Sequence, residues 1–194
     1  MKRLLTLLSL LLCIVSVQAQ ETESLYTFKG IPIEGATDDF IKQLVEQGFK
    51  VEKNDYSLEN FSEQCLYGTF FNRDVMLLLS EKSSNIINAV FVLFVSDNIE
   101  STISIYKSVR DGLNSKYGNS PEWLFADIKS IDGKSLIDIK YDLVVKGETY
   151  GLGIVLKEQD TTIPYIALSL TKDVTTIVYS NPNNYNPSSF YNDL

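Results

Sequence analysis

Apolar residues at Phe40, Ile41, Leu44 and Val45 recur at i, i+1, i+4 and i+5, the spacing that lines one face of a helix. Thr37 stands before them as a predicted N-cap, Asp38 and Asp39 place negative charge on the first turn, and Gly48 stops the run. A second helix follows the same logic. Ile99, Ile103, Tyr106, Val109, Leu113 and Tyr117 keep helical spacing, Asp97 and Glu100 sit as a capping box, and Gly118 and Pro121 end the helix behind Lys116.

Between and after these helices the period shortens to two. Strands are predicted over 49–52, 65–71, 75–80 and 87–95, with Asn72-Arg73-Asp74 as a tight hairpin turn. Met76 to Leu79 and Ala89 to Val95 are apolar without a break, which predicts strands covered on both faces. Further strands are predicted over 123–128, 137–146, 149–157, 163–171 and 175–179. In 137–146, Asp138, Lys140 and Asp142 alternate with Ile139, Tyr141 and Leu143, the pattern of a strand with one wet side.

The expected fold is α+β: two helices, each followed by antiparallel strands, a tandem helix-plus-sheet plan with the helices on one sheet face. The expected domain is single, residues 37–179, in lobes of about 37–95 and 98–179. An extended lead-in over 20–36 precedes it, punctuated by Gly30, Pro32 and Gly35. An Asn-, Pro- and Ser-rich tail over 180–194 follows.

The N-terminus changes the picture. Met1-Lys2-Arg3 is a basic head, Leu4 to Val17 is almost wholly apolar, and Val17-Gln18-Ala19 suits a signal-peptidase cut, so residues 1–19 read as a secretory leader. The apolar run is too short for a spanning helix. The expected location is the periplasm or exterior of a Gram-negative bacterium. Losing the leader removes Lys2 and Arg3 and no acid, which takes the formal net charge from −8 to −10. So acidic a surface disfavours nucleic acid and anionic membrane as partners.

Histidine is absent. Ser-His-Asp and Cys-His catalysis and His-ligated zinc therefore have no imidazole to work with. Cys13 departs with the leader; Leu12 stands before it where a lipid-attachment signal wants Gly or Ala. Cys65 is then the one mature cysteine, read as a small buried hydrophobe on a strand, with an intermolecular disulfide or a reactive thiol as the alternatives. No cofactor and no metal is expected.

Phe28-Lys29-Gly30-Ile31-Pro32-Ile33-Glu34-Gly35 leads into a helix closing on Leu44-Val45-Glu46-Gln47-Gly48-Phe49. This resembles the opening of a group of exported Gram-negative proteins of unassigned function, in which a GIPI-x-G segment precedes an amphipathic helix. Gly68-Thr69-Phe70 and Lys116-Tyr117-Gly118 resemble later landmarks of that group. The resemblance implies a secreted α+β domain and carries no catalytic residues. The order of elements is also similar to the β-lactamase inhibitor protein fold, a likeness of plan alone.

Several chemistries fail on their surroundings. Ser96-Asp97-Asn98 and Ser104-Ile105-Tyr106-Lys107 match two penicillin-recognising motifs, but in reversed order, without K-T-G, and with Ser104 and Lys107 in mid-helix. Asp38 and Asp39 are explained by a helix N-terminus, and Asp138 and Asp142 by a solvated strand face. Gly151-Leu152-Gly153 lies in a predicted strand, which excludes a dinucleotide loop, and Asp132-Gly133 lacks calcium-loop spacing. Asp160-Thr161-Thr162 resembles a short O-glycosylation triplet.

The aromatic residues Trp123, Tyr185, Phe190 and Tyr191 are the candidate ligand-binding positions, able to stack on a protein or sugar partner; the competing reading is that the tail aromatics pin the tail over a sheet. The expectation for function is a non-catalytic binding module whose partner is an envelope or secreted protein. The alternatives are a small hydrolase using paired carboxylates and an inhibitor of an exported enzyme.

Overall fold

The computed structural model describes residues 26–53, 61–83, 85–117, 130–154 and 165–181. The chain opens with a small hairpin, β1 (Thr27–Phe28) and β2 (Ile31–Pro32), turned by Lys29 and Gly30, both at positive φ. Helix α1 (Thr37–Glu46) follows, then β3 (Lys50–Lys53), β4 (Phe61–Phe70), β5 (Arg73–Ser83) and β6 (Ile86–Val95). Helices α2 (Ile99–Tyr117) and α3 (Leu136–Val145) precede β7 (Tyr150–Ile154), β8 (Ile166–Leu170) and β9 (Val174–Ser180).

Strands β3 to β9 form one antiparallel sheet in the order β3-β4-β5-β6-β9-β8-β7. The fold is thus α+β around a large antiparallel sheet. Its two meanders join where the last strand of each, β6 and β9, pair in register from Ala89–Ser180 to Val95–Val174.

The pairing lines residues up in rows across all seven strands. One row reads Val51, Leu66, Leu77, Val92, Ile177, Leu168 and Leu152, and all but the edge residue Val51 are buried. Helices cover this face: Phe40 and Leu44 of α1, Tyr106 and Val109 of α2, and Ile139 and Leu143 of α3 join the same core cluster. Fully burying one such side chain stabilises by about 1.5–3 kcal/mol. Thr175 Oγ1 on β9 donates to the Thr102 carbonyl of α2 at 3.1 Å, pinning the long helix to the sheet.

Several local expectations change. Three helices stand among the described residues, not two. The segment 137–146, expected as a strand, is helix α3. Its start is marked by Ser135, whose Oγ accepts from the Asp138 N–H at 3.2 Å and donates to the Asp138 carboxylate at 2.6 Å. Gly147 follows its end at φ 66°. The α1 cap is not Thr37, which lies inside the helix. Asn85, on the β5–β6 turn at φ 64°, accepts from the Thr37 N–H through its carbonyl at 3.1 Å and from the Asp38 N–H through its side chain at 3.2 Å. Asn98, not Asp97, caps α2, its side chain accepting from the Ser101 N–H at 2.9 Å.

The β4–β5 turn is Phe71-Asn72, at φ 51° and 55°, one residue earlier than expected. These are the angles of a type I′ hairpin, unusual for a phenylalanine. Phe71 stacks edge-on with Phe70 at 4.9 Å and lies against α2 at Gly112, where an added Cβ would come within 2.5 Å of its ring. The strands expected over 49–52, 65–71, 75–80, 87–95, 149–157, 163–171 and 175–179 correspond to β3, β4, β5, β6, β7, β8 and β9 with shifted ends. The one expected over 123–128 lies outside the described residues.

Candidate binding surface

The opposite sheet face carries two further rows. The inner row reads Glu52, Cys65, Leu78, Phe91, Val178, Ala167 and Gly153. Cys65, Leu78 and Phe91 within it are buried and form, with Ala89, a second apolar cluster. Continuous apolar sequence in β5 and β6 thus does correspond to strands buried on both faces at the sheet centre.

The outer row reads Lys50, Tyr67, Met76, Leu93, Thr176, Ser169 and Gly151. Bulk falls along it from Tyr67, Met76 and Leu93 to small side chains on β8 and β7. Beside the bulky end lies an open groove of about 550 Å³, lined by Lys50, Tyr67, Thr69, Asp74, Met76 and Val95 among others. Tyr67 is 41% exposed and its hydroxyl donates to the Met76 sulfur at 3.3 Å. Val95, at the far corner, is largely exposed. Asp74 and Val95 also border a second depression of about 430 Å³, where Arg73, Ser96, Asp97 and Ser101 supply polar groups.

An aromatic edge, a polarisable thioether and a methyl-rich corner, rimmed by one cation and one anion, suit contact with a mixed surface.

The acids tell a parallel story. Asp142, expected on a solvated strand face, is instead buried on α3. It accepts from Lys134 Nζ at 2.5 Å, Lys146 Nζ at 2.8 Å and the Tyr150 hydroxyl at 2.5 Å. These hydrogen bonds, Lys134's foremost, hold its carboxyl well below the usual range. The same contacts push Lys134 and Lys146 upward, while burial first and then Asp142 push the Tyr150 hydroxyl up. Glu100 is likewise lowered by its hydrogen bond from Lys140. Both carboxylates with shifted acidity thus move away from the protonated form that a general acid requires.

Elsewhere burial raises the Tyr106, Tyr165 and Tyr179 hydroxyls. The Tyr165 hydroxyl bridges the N–H and carbonyl of Thr27, clasping the first hairpin to β8. Cys65 lies buried on β4, its thiol 3.8 Å from the Lys53 carbonyl. Among the described residues no group of three or more Cys, Asp or Glu is gathered to hold a metal. Also among these residues, no helix is long and apolar enough to cross a membrane.

The four aromatics favoured from sequence, Trp123, Tyr185, Phe190 and Tyr191, lie outside the described residues, as does Asp160-Thr161-Thr162. Ser104 and Lys107 fall within α2, and Gly151 to Gly153 within β7, as their spacing predicts. Tyr67 and Met76 were not singled out by sequence reasoning. Their only signal was alternation with buried Leu66 and Leu77, which becomes a shared face once the strand register is known. No family model, no curated protein and no solved structure matches this chain.

Proposed function

We propose that the chain is exported behind the 1–19 leader and acts without turnover, binding an envelope or secreted protein at the groove around Tyr67. The observation that carries this reading is the row Lys50-Tyr67-Met76-Leu93. It presents a part-exposed aromatic and a methionine on a sheet face that the three helices leave uncovered. Asp142 and Glu100 are both held ionised by their lysine partners, so neither supplies the protonated acid that the hydrolase alternative needs.

The tandem plan belongs to the same proposal. Two helix-plus-meander lobes, over about 37–95 and 98–179, meet at β6 and β9. That plan, with its likeness to the β-lactamase inhibitor protein fold, makes an exported enzyme one form the partner takes. The resemblance to exported Gram-negative proteins with a GIPI-x-G segment supports the location.

The test is affinity capture from the native envelope with the wild-type chain and with Tyr67→Ala and Met76→Asp. The expected result is a co-purifying protein that both variants lose while keeping their unfolding midpoint. Capture of nothing, together with turnover on a glycan or peptide panel, overturns the proposal.

A further inference from the structure

The sequence holds two methionines, Met1 at the head of the apolar leader and Met76 on β5. Met76 stands on the sheet face that the three helices leave uncovered, while Val75 and Leu77 on either side of it turn into the core. The strand register sets Tyr67 of β4 on one flank and Leu93 of β6 on the other. The Met76 side chain is half-buried in the wall of the open groove, and the Tyr67 hydroxyl donates to its sulfur at 3.3 Å.

A thioether sulfur is a soft two-electron nucleophile. Its oxidation needs a path to the sulfur lone pairs and a proton for the oxygen that leaves. The groove supplies the path, and the Tyr67 hydroxyl supplies the proton.

We propose that Met76 is an oxidation site for small neutral peroxides, with the Tyr67 hydroxyl as proton donor to the step. The proposal stands whether or not the groove binds a partner.

The step balances with hydrogen peroxide as the oxidant. A sulfur lone pair attacks one peroxide oxygen, the S–O bond forms as the O–O bond breaks, and Tyr67 protonates the departing oxygen. The S–OH proton then passes to the tyrosine oxygen. The thioether loses two electrons and becomes a sulfoxide, the peroxide is reduced to water, and Tyr67 is restored. Without that proton a hydroxide would leave beside Leu93 and Val95, a costly place for an anion.

Charge and burial select the oxidant and the sulfur. A formal net charge of −8 turns anionic oxidants away and leaves neutral hydrogen peroxide unhindered. Cys65, the other sulfur among the described residues, is buried and donates to the Lys53 carbonyl, so it is shielded and keeps its proton. The product suits the site as well. A sulfoxide oxygen is a stronger acceptor than a thioether sulfur, and the Tyr67 hydroxyl already points toward that position. Oxidation thus places a dipole at the centre of the Tyr67-Met76-Leu93 row, and reduction by a dithiol, yielding water and a disulfide, removes it.

Hydrogen peroxide in large excess over the purified chain, followed by intact mass and peptide mapping, tests the proposal. The expected first product carries one added oxygen, on Met76, formed at least as fast as on N-acetylmethionine amide even though the side chain is half-buried. Tyr67→Phe keeps the ring and loses the proton, and is expected to react about tenfold slower with an unchanged unfolding midpoint. A Met76 slower than the free amide overturns the proposal, since shielding alone does that to any thioether. So does a Tyr67→Phe chain that reacts as fast as wild type or faster, the outcome if the hydroxyl only ties up the sulfur lone pair. A first oxygen on Cys65 overturns it too.

Discussion

Helices α1 and α3 are each ten residues long and each contribute to the same core, but they treat their outer surfaces in opposite ways. In α1 the buried residues Phe40, Ile41 and Leu44 form one stripe, Asp38, Asp39, Lys42, Gln43 and Glu46 fill most of the rest, and Val45, expected on the stripe, is the one large apolar side chain left exposed. In α3 the core takes Ile139, Leu143 and an aspartate, while isoleucine, tyrosine and valine look outward. The first helix is satisfied by its own sheet. The second places a carboxylate inward among two lysines and a tyrosine and leaves apolar side chains exposed. Sequence polarity therefore reports the partner a residue meets, not simply whether it faces water.

The comparison can be broken most severely at Phe40. Phe40→Ala leaves a cavity under α1 and is expected to lower stability by about 3–5 kcal/mol in urea unfolding. On α3 the matching truncation of an exposed ring, Tyr141→Ala, changes stability by no more than about 0.5 kcal/mol.

Asp142 is the next lever, and here the readout is pH. Its carboxyl is depressed in the folded chain, so its contribution is present above the unfolded value of about 3.9 and is lost as pH falls below that toward the lower folded value. Lys134 and Lys146 are raised, so theirs is present below about 10.4 and is lost as pH climbs through the folded values. Asp142→Asn is expected to lower the melting temperature near neutrality and to flatten both limbs of a stability-versus-pH curve. An unaltered acid limb would show that the cluster adds nothing.

Gly68→Ala places a Cβ within 2.4 Å of the buried Phe49 ring, under the loop that follows α1. Overpacking there is expected to destabilise by about 1–3 kcal/mol, measured by denaturant midpoint. Smallest are the caps. Ser135→Ala should cost about 1 kcal/mol, a local loss at α3. Asn85→Gly removes a cap borrowed from the β5–β6 turn but relieves its positive φ, so its net effect is expected to be smaller than that of Ser135→Ala. Equal losses would mean that the backbone carbonyl of Asn85 does little for α1.

The contrast also explains what could be read from the chain. α1, α2 and the apolar strands announce themselves because their buried positions are hydrophobic and evenly spaced. α3 defeats that reading because Ile137 to Leu143 alternates perfectly, and its inward Asp142 counts as polar. Lys134, Lys146 and Tyr150, the groups that make an inward acid tolerable, come together only in the folded chain. Ser135, Asp138 and Gly147 carry the start and stop of a helix, a signal that the period-two pattern masks. The Tyr67 row was illegible for a different reason: it is a property of strand register across chain segments, which spacing along one segment does not encode.

The seam between β6 and β9 has a consequence for how the molecule is made. It joins residues 79 (Val95–Val174) to 91 (Ala89–Ser180) positions apart, a closure far less local than hairpins such as β4–β5 and β5–β6. Until Val174 to Ser180 has left the ribosome, β6 is an open, greasy margin, ready to stick to any passing strand. Among the described residues, the last strand synthesised is the one that closes the middle of the sheet.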